Sequence, residues 1–293
     1  MMARLPVIGA LLLLACDGAV NRSIDPVAPA PLPPPAPPGE WKAEIRLDGL
    51  LPAGALPVGV AVDPSGRRYV LDRRSGLYEV DGSGARLVVS ITDVAATLGL
   101  ALDLELTDVA ALGEGRFALT AENDGYLFDL RDRSVRSYFC YFPPTNADPT
   151  PPPEASSVSQ TLQREGVPTT QRTESVAFSA ETGFLFAQPR TIRLDTGAIA
   201  GAELFIFLSS GGQPFQVRSL PDPTFIAGGM VVSGQEVLLG SHDKIYAMTA
   251  RTPATLVHDF QAPLEITGMA REPDGDLLLL DGAGRRLLKV SGY

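Results

Sequence analysis

The sequence predicts an all-β fold built as a ring of four-stranded antiparallel sheets, and three observations carry that prediction. A strand–turn–strand frame recurs along the chain, each copy is followed by further short strands, and the count of strands closes only if the two ends of the domain meet. The clearest copies of the frame are Gly59-Val-Ala-Val-Asp-Pro-Ser-Gly-Arg-Arg-Tyr-Val-Leu-Asp72 and Gly268-Met-Ala-Arg-Glu-Pro-Asp-Gly-Asp-Leu-Leu-Leu-Leu-Asp281. Both run apolar strand, proline-containing turn, apolar strand, closing aspartate. Four antiparallel strands repeated at intervals of about forty to seventy residues describe a β-propeller. A β-sandwich with long loops is the competing arrangement, since strand spacing alone fits both.

Weaker copies of the frame begin at Asp108 (DVAALGEGRFALT), Ser175 (SVAFSAETGFLFA) and Gly229 (GMVVSGQEVLLGS). Third strands follow at Gly76–Val80, Gly125–Asp129, Glu203–Phe207, Lys244–Met248 and Arg286–Val290, and fourth strands at Leu87–Ile91, Val135–Phe142, Phe215–Leu220 and Thr255–Phe260. The fifth unit runs out after three strands. The orphan strand Trp41–Leu47 supplies the missing one, and such closure protects edges that an open repeat would expose. Five blades are read over residues 41–293, and poorly patterned segments leave room for a sixth.

Ahead of this domain the chain changes character twice. Arg4 precedes an apolar run, Leu5 to Leu14, which ends in Leu13-Leu14-Ala15-Cys16. Ten apolar residues fall well short of the roughly 20 that span a bilayer. A basic residue, a short apolar run and a small residue before cysteine resemble the signal of a bacterial lipoprotein. That resemblance implies cleavage of residues 1–15, acylation of Cys16 and an anchor outside the cytoplasm, in the periplasm or on the cell surface; a plain cleaved signal or an anchor helix is the alternative. Residues 16–40 then read as a tether. Proline lacks a backbone donor and fixes φ, so the run Pro26 to Pro38 favours polyproline II and a spacer of roughly 40 Å. A second proline-rich stretch, 143–172, reads as a disordered loop inserted in the ring.

The whole chain has 24 basic and 34 acidic side chains, a formal charge of −10; without Arg4 the balance is 23 to 34, or −11. That sign repels phosphate backbones, so nucleic acid is not an expected partner. The expected partners are the membrane through the N-terminal lipid, and an envelope protein or small ligand at the ring. With Cys16 given to lipid, Cys140 stands alone and no internal disulfide forms.

The frames at Gly59 and Gly268 resemble blades of NHL-repeat and gluconolactonase-type propellers. The segment Thr173–Gln188, with Ile192-Arg-Leu-Asp195 beyond it, is similar to the esterase-like phytases. These resemblances imply the propeller fold and, as one reading, a hydrolase of lactone, ester or phosphate substrates. No family metal or catalytic residue matches position by position.

The catalytic motifs of serine hydrolases, zinc proteases and phosphate-binding loops are missing. Propeller geometry places loops leading into first strands and loops joining second to third strands on one face, around the channel. The first group offers Glu105, Asp108, Glu174 and Glu265, with Arg172 among them; the second offers Asp72, Glu122, Asn123, Asp124, His242, Asp243 and Asp281. Converging oxygens suit calcium, and a bound cation activates water. Asp and Asn are equally the residues turns demand. Two readings therefore stand: a binding or scaffold module, with Arg172, His242, Asp72 and Asp281 at its ligand site, and a calcium-dependent hydrolase using Glu105, Asp108, Glu174 and Glu265. Carboxylates each held by an arginine favour the first.

Overall fold

The computed structural model describes residues 41–99, 104–121, 124–140, 162, 165–212, 214, 216–220, 225–234, 236–249 and 252–293. The expected signal, Cys16, the tether, Glu122, Asn123 and most of the inserted loop lie outside them.

Twenty strands form five four-stranded antiparallel sheets arranged in a ring, a five-bladed β-propeller. Blade 1 holds β2 (Pro57–Val62), β3 (Arg68–Asp72), β4 (Gly76–Val80) and β5 (Ala85–Ser90). Blade 2 holds β6 (Asp108–Gly113), β7 (Arg116–Thr120), β8 (Asp124–Asp129) and β9 (Ser134–Cys140). Blade 3 holds β10 (Thr169–Ser179), β11 (Phe184–Arg193), β12 (Ile199–Leu208) and β13 (Gln216–Ser219), and blade 4 holds β14 (Gly229–Ser233), β15 (Glu236–Ser241), β16 (Lys244–Thr249) and β17 (Thr255–Asp259). Blade 5 joins β18 (Ile266–Arg271), β19 (Leu277–Asp281) and β20 (Arg286–Val290) to β1 (Trp41–Arg46), so the N-terminal strand is the outer strand of the last blade. The innermost strands β2, β6, β10, β14 and β18 each touch the next around the ring and line the central channel.

Strand periodicity explains how the ring packs. Successive side chains on a strand face opposite ways, so a sheet between two neighbours needs apolar residues on both faces. The run Leu277-Leu278-Leu279-Leu280 does this: Leu277 and Leu279 pack toward blade 4, Leu278 and Leu280 toward blade 1. Tyr69 and Leu71 likewise face blade 2 while Val70 faces blade 5. Five apolar clusters result, one at each contact between neighbouring blades.

Charge fastens the closing strand. Lys42 pairs with Asp276 at 3.0 Å, Arg286 reaches Glu44 at 3.4 Å, and the Arg286 guanidinium lies 5.5 Å from the Trp41 ring centre. Leu47, just past β1, is fully buried between blades 5 and 1.

Two details depart from the sequence expectations. Ile91, expected to end a strand, opens a helix, α1 (Ile91–Leu98). The Ser90 side chain accepts from the Asp93 backbone N–H while Asp93 reaches back to the Ser90 N–H, and Gly99 ends the helix in the left-handed region. The expected disordered loop 143–172 ends earlier than supposed, because Thr169–Arg172 begin β10. Their polarity hid a strand: Gln171, Thr173 and Thr191 are buried on the ribbon that β10 forms with β11, and threonine suits a pleated surface. Blade 3 therefore extends past the others on the side where its first strand enters.

Candidate functional site

The five first strands reach the channel mouth in a common way, and the register shows it. In blade 1, Pro57 pairs with Asp72 and Gly59 with Leu71, which leaves Val58 as an extra, bulged residue. Glu174 holds the same place in blade 3, between Thr173 and Ser175, and Thr267 holds it in blade 5, between Ile266 and Gly268. A bulge turns its side chain out of the ladder and re-aims it. These three residues, with Thr107 of blade 2 and Gly228 of blade 4, form the floor of a cavity of about 160 Å³ to which all five blades contribute. Its walls come from the ends of second strands and the loops after them, Arg73, Ser241 and His242, from Arg172 within β10, and from Glu265 just before β18.

The structure brings together four of the sequence-predicted residues here: Arg172, Glu174, His242 and Glu265. Glu174 is held by two arginines, Arg190 in close ion-pair contact and Arg172 at 3.6 Å. Glu265 lies at the rim, 46% exposed, with its carboxylate 3.0 Å from His242 Nδ1. The backbone at His242 has a positive φ of 53°, and its carbonyl accepts from the Ile266 N–H across the gap between blades 4 and 5. Glu105 does not line the cavity and pairs with Arg74 at 3.6 Å.

Asp108 sits one layer deeper and is fully enclosed. Its Oδ2 accepts from the Val176 N–H of blade 3 at 2.8 Å, and its Oδ1 has no partner among the described residues. A β-carbon at Gly59 would collide with that oxygen, so only glycine fits beside it. Burial pushes the Asp108 carboxyl well above the ordinary carboxylate range, against the opposing pull of the Val176 and Val109 N–H groups.

Asp72 and Asp281 take matching structural places at the ends of β3 and β19. Asp72 accepts from the backbone N–H groups of Leu56, Arg74 (3.1 Å) and Ser75 (2.7 Å). Asp281 accepts from Glu265 N–H (3.2 Å), Gly284 N–H (2.9 Å) and Arg286 Nε (2.8 Å). Both are buried and their oxygens are taken up in shaping the turns. Asp243 pairs with Lys244 at 2.9 Å. Among the described residues, no three acidic, histidine or cysteine side chains stand together in a set able to hold a metal ion.

Arg73 is the residue that sequence reasoning passed over. It follows Asp72 in the loop after β3, lines the cavity, and its buried Nε has no hydrogen-bond or ion-pair partner among the described residues. The signal was present in the sequence as an arginine directly after a frame-closing aspartate, but Arg73 lies past the end of β3, where strand alternation does not set the direction of a side chain.

No known protein-family profile matches the chain, and no curated protein matches it. Among solved structures, a gluconolactonase from Xanthomonas campestris is 13% identical, with a TM-score of 0.49, over 83% of this chain and 74% of that one. Streptogramin B lyase is 10% identical, with a TM-score of 0.42, over 85% of this chain and 96% of that one. A chain of the nidogen–laminin complex is 10% identical, with a TM-score of 0.42, over 78% of this chain and 72% of that one. The fold and site define a five-bladed propeller with a polar, arginine-bearing mouth. No described helix is long and apolar enough to cross a membrane.

Proposed function

We propose that this chain is a lipid-anchored, extracytoplasmic binding module whose working surface is the channel mouth. One observation carries the reading: all five blades contribute to a single polar cavity there, and it contains an arginine without a partner. A ring of five sheets locked by apolar interfaces is a rigid support, and rigid support is what a preorganised binding site needs. Of the carboxylates expected to converge on a cation, Glu105 is engaged by Arg74 and Glu174 by Arg190 and Arg172, while Glu265 lies beside His242 and Asp108 is enclosed below the cavity; the two arginine-held carboxylates favour binding over hydrolysis. The Cys16 anchor and the proline-rich tether would hold this face away from the membrane.

The test is native mass spectrometry of the chain purified from its own envelope, compared with a Thr267→Trp variant whose indole fills the mouth. The expected result is a small molecule retained by the wild type and absent from the variant. A molecule retained equally by both, or a stoichiometric protein partner unaffected by the variant, would place the working surface elsewhere.

A further inference from the structure

Arg73 has counterparts in two other blades. The bulge pairings place Arg73, Arg190 and Gly282 at one position, directly after the second-strand residue that pairs with the one preceding the bulge. In blade 5 that position has no side chain. Blade 3 has an arginine there, and its own bulge residue, Glu174, neutralises it. Blade 1 also has an arginine there, but its bulge residue is Val58, which cannot accept a hydrogen bond. Blade 1 thus repeats blade 3 with the carboxylate removed, and a guanidinium is left facing the cavity without an anion. Leaving a buried donor unpaired is costly, and the cost is relieved when a ligand supplies the acceptor.

Three further observations set the ligand's chemistry. Arg73, Arg172 and Arg190 stand against Glu174 and Glu265, so these groups sum to +1 in a chain whose formal charge is −10. That balance matches a monoanion, and a planar carboxylate fits the guanidinium fork. The cavity, about 160 Å³, is comparable to one of about 150 Å³ that holds benzene, a six-carbon molecule. Two hydroxyls on its floor have already given up their protons. Thr120 donates to the Asp108 carbonyl, so Thr107 must donate to Thr120, at 3.0 Å, and Thr267 donates to the Pro57 carbonyl at 3.3 Å. Each keeps oxygen lone pairs, which accept from a ligand hydroxyl and repel a carboxylate.

We infer that the mouth binds a short hydroxycarboxylate, with its carboxylate on Arg73 beside Arg172 and its hydroxyl donating to Thr107 or Thr267. This rests on the mouth being the binding surface and adds the chemical class of what it takes. The experiment is calorimetric titration and thermal melting of the full chain with lactate, its uncharged counterpart lactamide, and inorganic phosphate. Lactate should bind and raise the melting temperature, while lactamide and phosphate should not. Arg73→Gln should weaken lactate by about tenfold to a hundredfold, the usual weight of a charged hydrogen bond. The same variant should melt no lower than the wild type without ligand, because the lost guanidinium had no partner to stabilise; an arginine with a structural role would lower it. Val58→Glu, which installs the blade 3 arrangement in blade 1, should abolish lactate binding with Arg73 still present.

Equal binding of lactamide, preference for phosphate, no binding of lactate, or unchanged lactate affinity in Arg73→Gln would each overturn the inference. The broader reading fails by a different result, retention of the envelope-derived molecule by Thr267→Trp.

Discussion

Asp108 is the residue at which folding and site chemistry conflict. It is enclosed between Gly59 of blade 1 and the Val176 N–H of blade 3, and one of its oxygens lacks a partner among the described residues. Its folded pKa is raised by burial. The folded state therefore keeps a proton that the unfolded chain releases, so stability is greatest below the unfolded carboxylate pKa of about 4 and declines as pH rises above it. Asp108→Asn removes this dependence, and we expect it to raise the melting temperature at neutral pH; a lower melting temperature would contradict the account. His258 behaves in the opposite sense. Burial against Phe260 and Tyr293 depresses its pKa below 6.5, and neither ring nitrogen has a partner among the described residues. Its contribution is present above pH 6.5 and is lost as pH falls toward the depressed folded value. Denaturant midpoints followed below neutrality should fall in the wild type and fall less in His258→Phe. Much of the site was legible at this scale, since topology alone grouped Arg172, Glu174, His242 and Glu265. Arg73 was not, because it follows the end of β3, where alternation no longer predicts which way a side chain faces.

The β1 strand makes the ring a closed object. Leu47 is buried at the seam, and Lys42 and Glu44 pair with residues of blade 5. Removing residues 41–47 would bare the outer edge of β20 and uncover the apolar contact between blades 5 and 1. A chain so truncated should lose cooperative unfolding and self-associate by size-exclusion chromatography; a stable monomer with an unchanged melt would mean that closure does not hold the ring. The glycine opening β4 belongs to the same scale. Gly76 has a φ of 126°, and a β-carbon there would strike the Val89 carbonyl, so Gly76→Ala should destabilise by more than ~1 kcal/mol in chemical denaturation. Frame, turns and closing strand were readable because alternation and turn residues are local signals. The helix α1 was readable in principle from Ser90, Asp93 and Gly99, yet its first residue, Ile91, continues the apolar pattern of β5. The start of β10 was hidden by polar residues that only the extended ribbon with β11 buries.

Across the whole molecule, five sheets hold open a cavity whose lining includes Arg73 and Arg172 on an otherwise acidic protein. Because Glu105 and Glu174 already pair with arginines, millimolar calcium should leave the melting temperature unchanged; a rise abolished by Glu174→Gln would restore the hydrolase reading. Cys16→Ser should leave the chain unacylated and out of the membrane fraction, which mass analysis of the N-terminal peptide reads directly. If the mouth is where the protein meets its ligand, a crystal structure grown with lactate will show it there. The expected density is a carboxylate on Arg73 at about 2.8 Å, the distance of a charged hydrogen bond, with the ligand hydroxyl over Thr107 or Thr267. A mouth without lactate in crystals that hold it on another face would contradict it.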